Sequence, residues 1–362
     1  MSKPFVMIMA GGRGERFWPQ SRLHRPKHLL PIVGNTPMLA QTIARLDGLV
    51  SPEDVFVITN CEQREATLAA CPDLLQKRVV GEPMGRDTAA AVGLAALLAK
   101  RASDDAVFAM LPADHVIEQS AGFRDVLRTA FEVAAKENVL VTIGVRPLEA
   151  ATGYGYVQRG DLLCELEGRS VHEVKRFVEK PNADTARDYL ESGDYLWNAG
   201  MFVWRPEVIL NALERYAPEL WEGLRCLDRR WQEGEKLEDC MGDVYPELPK
   251  ISIDYAVMEK ADNVVMLESD FDWDDVGEWP AVGRHFPADE DGNVTRGEVL
   301  SLDSSDNLVI SSKGRLTALL GVEDLIVVET ENATLVCHRS KAQEVKRLVQ
   351  EIDRREDGAN WI

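Results

Sequence analysis

The feature that most constrains this chain is a repeated change of period over its first 145 residues, from unbroken apolar runs to helical spacing and back. The runs PFVMIMA, DVFVITN, RVVGEP, AVFAMLPAD and VLVTIGV are too uniformly apolar to be strands with one wet face. Between them lie helical stretches. The first, TPMLAQTIARLDGL, is entered at Pro37 with Thr36 as N-cap. A stretch from Glu62 follows, then the alanine- and leucine-rich DTAAAVGLAALLAKR, then FRDVLRTAFEVAAKE. Strands buried on both faces and joined by helices specify an α/β fold, with a mostly parallel sheet flanked by helices. Ligands of such sheets bind beyond the carboxyl ends of the strands. The glycine loop at 11–14, Glu82-Pro83 and Asp114 all fall there.

From about residue 150 the pattern becomes that of a mixed region. GYGYVQRG and VHEVKRFVEKP read as strands, ADTARDYLESG as a helix, WNAGMFVWR as a further stretch followed by a helical segment through Arg230, and FDWDDVGEWPAV as its close. After Pro287 short apolar runs alternate with turns, which predicts a small C-terminal β-rich domain. It ends in the amphipathic helix SKAQEVKRLVQEIDRR, with Ser340 as its cap and a fraying tail. The expected domains are therefore 1–286 and 287–362.

The loop after the first strand reads MAGGRGERFWPQSRLHRPKHLLP and carries Arg13, Arg16, Arg22, Arg25 and Lys27 against Glu15 alone. In a chain of formal net charge -20, that cluster is local design. The same charge argues against nucleic acid as a partner. Two familiar phosphate loops fail here: no Lys-Ser or Lys-Thr follows the glycines, and Gly12-Arg13-Gly14 is followed by Glu15-Arg16-Phe17, not by the spacing G-x-G-x-x-G. What remains is a strand-to-glycine-loop junction with its own arginines. Its backbone N–H groups can form an anion-binding concavity, and guanidinium forks can grip phosphate oxygens in pairs. The competing reading is a glycine turn with a solvated basic face, and for Arg22 and Arg25 the two readings weigh equally.

No apolar run approaches the roughly 20 residues that span a bilayer, and no cleavable signal precedes the first strand. The six cysteines are scattered without a C-x-x-C pair, as in a reduced, cytoplasmic protein. No membrane partner is expected.

Taken in order, the motifs resemble the sugar-1-phosphate nucleotidyltransferases, and within them the guanylyl branch that acts on mannose 1-phosphate. The opening signature stands as Ala10-Gly11-Gly12-Arg13-Gly14-Glu15-Arg16, Pro19 and Pro26-Lys27. It is followed by Glu82-Pro83 with Arg86-Asp87-Thr88-Ala89, Leu111-Pro112-Ala113-Asp114-His115 and Thr152-Gly153-Tyr154-Gly155-Tyr156. Then come Phe177-Val178-Glu179-Lys180-Pro181, Trp197-Asn198-Ala199-Gly200-Met201-Phe202, Ser252-Ile253-Asp254-Tyr255-Ala256 and Trp273-Asp274-Asp275-Val276-Gly277. The likeness runs from residue 5 to about 340. One departure is clear: the guanylyl branch usually reads R-N-T-A-P-A where this chain has Arg86-Asp87-Thr88-Ala89-Ala90-Ala91.

The resemblance implies a Rossmann-like, GT-A-like nucleotidyltransferase sheet and a Mg²⁺-dependent transfer of GMP from GTP to mannose 1-phosphate, by in-line attack at the α-phosphorus. A phosphate monoester, with a second pKa of about 6, is already ionised, so neither a general base nor a covalent nucleophile is required. By the same resemblance Arg16 and Lys27 carry the catalysis. Ala10, Gly11, Gly12, Arg13, Gly14, Glu82, Pro83, Arg86 and Thr88 bind the nucleotide. Gly153, Glu179, Lys180 and Asn198 bind the sugar phosphate, and Asp114 and Asp275 bind the metal. Asp270, Asp272 and Asp274 crowd the same turn as Asp275 and compete with it for that role. The histidines show no metal-ligand spacing and are assigned none. Long members of the branch carry a cupin-like isomerase domain beyond this point, so a monofunctional chain is expected, with a homodimer left open. Two other readings stand beside this one: the same chemistry with another NTP or hexose 1-phosphate, and a non-catalytic nucleotide-sugar sensor. A sensor would have lost the arginine, lysine or aspartates, and all are present. A hydride-transferring enzyme is disfavoured by the failed G-x-G-x-x-G.

Overall fold

The computed structural model describes residues 2–362, and the chain divides into two compact units that alternate along it. One comprises the residues up to Gly11 with Ile43–Ala113 and Ile117–Trp273; the other comprises Gly12–Thr42, Asp114–Val116 and Asp274–Ile362.

The first unit is built on nine strands: β1 (Lys3–Ala10), β2 (Val55–Asn60), β3 (Val79–Glu82), β4 (Ala106–Pro112), β5 (Leu140–Val145), β6 (Tyr156–Leu166), β7 (Arg169–Val178), β8 (Tyr195–Trp204) and β9 (Val264–Glu268). Their order in the sheet is β3-β2-β1-β4-β8-β5-β9-β7-β6. β1 pairs in parallel with β2 and β4, β2 with β3, and β5 with β9. β8 runs against β4 and β5, and β7 against β9 and β6, so seven of the nine strands point one way. Helices cover the sheet, among them Asp87–Ala102, whose alanines and leucines are buried almost without interruption. An all-round apolar helix of small side chains can sit deep in a core, here with Leu213, Leu220 and Leu224 in the same cluster. As the periodicity predicts, β1, β3 and β4 end at Ala10, at Glu82 and two residues before Asp114.

The first predicted helix is shorter than its pattern: it spans only Met38–Ala44. Beyond it Leu46 and Asp47 donate to Ile43 and Ala44, three residues back, and Gly48 turns the chain at φ 75°. Bonds to the third residue back tighten a helix end and stop it there.

The second unit contains β10 (Val294–Arg296), β11 (Glu298–Leu302), β12 (Leu308–Ile310), β13 (Leu316–Leu320), β14 (Leu325–Glu329) and β15 (Thr334–His338). β10, β12 and β14 stack in parallel with Val294, Leu308 and Ile326 in register, and β11 lies parallel to β13. The chain therefore coils upward. Buried asparagines hold successive coils together: Asn307 Nδ2 donates to Asn293 Oδ1 at 2.9 Å, and Asn307 Oδ1 accepts from Leu325 N at 2.9 Å. Interior amides must be satisfied internally, and a stack of them fixes the register.

Two sequence expectations for the C-terminus are corrected. Ser340 does not cap the last helix. A 3-10 turn, Arg339–Glu344, precedes the helix Val345–Asp353, and the His338 side chain caps that turn by accepting from Ser340 N. Nor does the tail fray: Trp18 Nε1 donates to the Trp361 carbonyl at 2.7 Å, and Ile362 packs against the core that holds Phe17, Trp18 and Val349. A terminal Trp-Ile pair gains more from apolar contact than from solvent.

Candidate active site

In the second unit a cavity of about 450 Å³ is lined by Arg13, Arg16, Lys27, Asp114, His115, Asp275 and Lys346, among others. Lys27 lines it and bonds both of its aspartate-bearing segments. Its Nζ donates to Asp114 Oδ2 at 2.8 Å, to the Asp114 carbonyl at 3.1 Å and to the Asp275 carbonyl at 2.7 Å, and it lies 5.4 Å from the centre of the Phe17 ring. Its side chain is only 7% exposed. The glycine loop can pass this close because Gly14 has no side chain: at its φ of 61°, a Cβ would lie 2.7 Å from Lys27 Cβ. Arg16 Nη1 donates to the Gly277 carbonyl at 3.0 Å, tying the loop to the turn at 274–277.

Burial works against ionisation of Asp114. The neighbouring Lys27 charge, with His115 and His28, outweighs it and holds the carboxyl down to about 2. Asp114 is thus a carboxylate at all working pH values. His28 is buried, and burial pushes it down to about 4 against the pull of Asp114.

The crowded aspartates separate cleanly. Asp274 accepts from Arg284, from Val276 N at 2.8 Å and pairs with His285 at 3.0 Å, so its carboxylate pins the turn. Asp272 accepts from Glu118 N and Gln119 N, and Asp270 pairs with Arg169. Of the four, Asp275 lines the cavity. Its turn is strained: Val276 is β-branched and fully buried, yet has φ 45°. Asp114 and Asp275 are two carboxylates in one cavity, and no group of three or more metal-ligating side chains occurs among the described residues. Two carboxylates that need phosphate oxygens to complete a shell are the donor set that suits Mg²⁺.

The first unit holds the other expected residues. Ala10 is buried at the end of β1, and Glu82 lies beside Gly11, where a Cβ would be 3.9 Å from Glu82 Oε2. Burial pushes the Glu82 carboxyl up to about 7, with the nearby Tyr245 hydroxyl working against it, and Glu82 Oε1 has no hydrogen-bond partner among the described residues. Pro83 follows it directly. Arg86 donates Nε to the Tyr245 carbonyl at 2.7 Å and Nη2 to that of Pro246, so it clamps two segments together. Asp87 has φ 65°, a left-handed conformation that Asn and Asp both tolerate, which accounts for Asp where Asn is usual. Thr88 Oγ1 accepts from Ile253 N at 2.8 Å, fixing the segment that carries Asp254.

Around that segment lie Asn198, Glu179 and Lys180. Asn198 Nδ2 donates to Asp254 Oδ1 at 3.0 Å, its N donates to the Gly155 carbonyl, and Lys180 Nζ is bonded to Glu179. Burial first, and then the Glu179 charge, pushes Asp254 up to about 7. Of the two motif glycines, Gly155 is the one in contact: a Cβ there would lie 2.5 Å from Glu179 Oε2, whereas at Gly153 it would meet nothing within 4 Å. Asp254 lies in the motif Ser252-Ile253-Asp254-Tyr255-Ala256, whose letters alone assign it no role. Lys346 and Gly277 were likewise missed, the lysine because nothing in an amphipathic helix marks one residue of its polar face.

A glycine loop with arginines after β1 and a buried lysine bonded to Asp114 and to the Asp275 carbonyl suit a protein that handles phosphoryl groups. The Nucleotidyl transferase family model matches residues 5–292, and the chain belongs to that family. A second model, described as a MannoseP isomerase/GMP-like beta-helix domain, matches residues 297–352. Among its relatives, the mannose-1-phosphate guanylyltransferase of Klebsiella pneumoniae is 41% identical over 346 residues, which span 95% of this chain and 73% of that protein. The enzyme of the same name from Escherichia coli shows the same identity and coverage. A crystal structure from Thermus thermophilus, described as a mannose-1-phosphate geranyltransferase, matches with a TM-score of 0.85 and 36% identity over 97% of this chain and 99% of its own. No helix among the described residues is long and apolar enough to cross a membrane.

Proposed function

We propose that the chain transfers GMP from GTP to α-D-mannose 1-phosphate, releasing pyrophosphate, and that Mg²⁺ supports the transfer. The observation that carries this is Lys27, buried and bonded to both Asp114 and the Asp275 backbone in a cavity with Arg13 and Arg16. An in-line displacement at phosphorus asks the protein for position and for positive charge where negative charge grows. Arg16, with Arg13 and the N–H groups of Gly12 and Gly14, receives the β- and γ-phosphates that leave. Lys27 meets the α-phosphate, which requires it to exchange one of its three partners; the longest bond, to the Asp114 carbonyl, is the one to give way. Asp114 and Asp275 would hold Mg²⁺, which when bound neutralises the phosphate oxygens.

In the first unit Ala10, Gly11, Glu82, Pro83, Arg86 and Thr88 serve the nucleoside. Guanine carries an exocyclic amino donor, and the unpartnered Glu82 oxygen is a buried acceptor. Glu179 and Asn198 receive sugar hydroxyls, Lys180 the sugar phosphate, with Gly153 in the adjoining loop. The reading extends to a cytoplasmic enzyme and to a homodimer, the latter checked by sedimentation.

A coupled pyrophosphate-release assay over four NTPs and several hexose 1-phosphates tests the assignment. Fastest turnover is expected with GTP and mannose 1-phosphate. Equal or faster turnover with UTP or dTTP would overturn the base, and with glucose 1-phosphate the sugar.

A further inference from the structure

The catalytic reading leaves Arg22 and Arg25 unused, yet the second unit has a second cavity, of about 640 Å³, lined by both of them and by Arg296. None of its lining residues belongs to the Lys27 cavity. We propose that this second cavity binds a small phosphorylated metabolite, held by the guanidinium groups of Arg25, Arg296 and Arg22.

The chain has 61 acidic and 41 basic residues, so an arginine here is more often near a carboxylate than not. Sixteen other arginines form ion pairs, whereas none of these three does among the described residues. The one acidic residue lining the cavity, Glu331, is exposed. Glu329 stands behind the wall, accepting from Ser311 Oγ and Ser312 N, and forms no ion pair with any of the three, so three cations are gathered in one concavity with no carboxylate bonded to them among the described residues.

Backbone bonds between Arg22 and Arg25, each N donating to the other's carbonyl at 3.0 Å, lock the turn that presents both. Arg22 is braced by the carbonyls of Pro19 and Ser21 and by Asn332 Oδ1 at 3.1 Å, and Arg296 by the Ile32 carbonyl at 3.1 Å and the Phe286 ring. Half-burial lowers the pKa of both, the cost of holding a cation there unpaired. Arg25 is exposed and has no side-chain hydrogen bond among the described residues, so its fork is available to a ligand. Braced guanidinium forks match phosphate oxygens in pairs, and the Ser312 and Thr330 hydroxyls line the same wall. The volume, within the usual range for small-molecule sites, leaves room for more than a bare phosphate ion.

Isothermal titration of the chain with inorganic phosphate and, separately, with glucose 6-phosphate tests the proposal. Both should bind, and Arg25→Ala should weaken them by about tenfold, the loss of one charge-assisted contact. Arg16→Ala, which alters the other cavity, should leave that binding in place. Ser312→Glu, which puts a carboxylate in the wall, should abolish it without touching an arginine. Tighter binding of the sugar phosphate supports a phosphorylated metabolite as the ligand; equal affinity would overturn that in favour of the free anion. No binding to the unaltered chain, binding that survives Arg25→Ala and Ser312→Glu undiminished, or binding lost only with Arg16→Ala would overturn the proposal.

Discussion

Lys27→Met is the most informative substitution, because it keeps a buried apolar stem of similar length and removes the ammonium. Two losses follow. The carbonyls of Asp114 and Asp275 lose a donor, at about 1 kcal/mol each. Asp114 also loses the cation that holds it near 2, below its ordinary 3.8. About two pKa units correspond to roughly 2–3 kcal/mol, and since the Asp114 side chain is 36% exposed, screening reduces this to about 1. The expected destabilisation at neutral pH is therefore about 3 kcal/mol in all. The sign of its pH dependence is fixed. Because the folded-state pKa of Asp114 is depressed, its share is present above the unfolded value and is lost as pH falls from about 4 towards 2. Denaturant titrations of both proteins from neutral pH down to about 3 should show the gap narrowing by part of that 1 kcal/mol. Pyrophosphate release should fall on the order of a hundredfold or more in kcat, since the charge acts most in the transition state. A folded Lys27→Met enzyme with near-normal kcat, or a stability gap unchanged across that pH range, would refute the reasoning.

Glu82 has the opposite sign: burial raises its carboxyl to about 7, so the folded state is penalised as pH climbs from the unfolded value of 4.5. Glu82→Gln should therefore gain thermal stability over the unaltered chain at pH 8 but not at pH 4, while losing preference for GTP; parallel melting curves would contradict the first part. Asp114→Asn and Asp275→Asn should each cost activity and weaken Mg²⁺ binding only when GTP is present, with the double variant little worse than either. Additive losses in the Mg²⁺ titration would show that the two do not act together. Lys180→Ala should raise KM for mannose 1-phosphate and leave that for GTP nearly alone; a selective rise for GTP would reverse the assignment of the two ligands.

The core strands were legible because burial on both faces writes itself as an unbroken apolar run, as in β1, β2 and β4. The coiling of β10, β12 and β14 was not. Strands of three to five residues carry too little pattern, and their register rests on Asn293 and Asn307, which look in sequence like ordinary turn residues. Within the turn at 270–275, composition cannot say which aspartate faces a cavity. The answer lies in remote partners: Arg284 and His285 for Asp274, the backbone at 118–119 for Asp272, Arg169 for Asp270. Gly153 and Gly155 are equivalent as letters, and only the position of Glu179 distinguishes them. Lys346 reaches the Lys27 cavity from the final helix, a contact no local window contains.

The triple bonding of Lys27 Nζ also bears on how the molecule behaves outside turnover. Its charge sits against Asp114, and its donors clamp the two chain segments that carry Asp114 and Asp275. Those segments are thus cross-linked by a group the ribosome supplies, whatever the ionic composition of the medium. Chelating agents should accordingly arrest the enzyme without loosening it, and a preparation stored in EDTA should keep its melting temperature and regain full turnover as soon as divalent cation and nucleotide are restored.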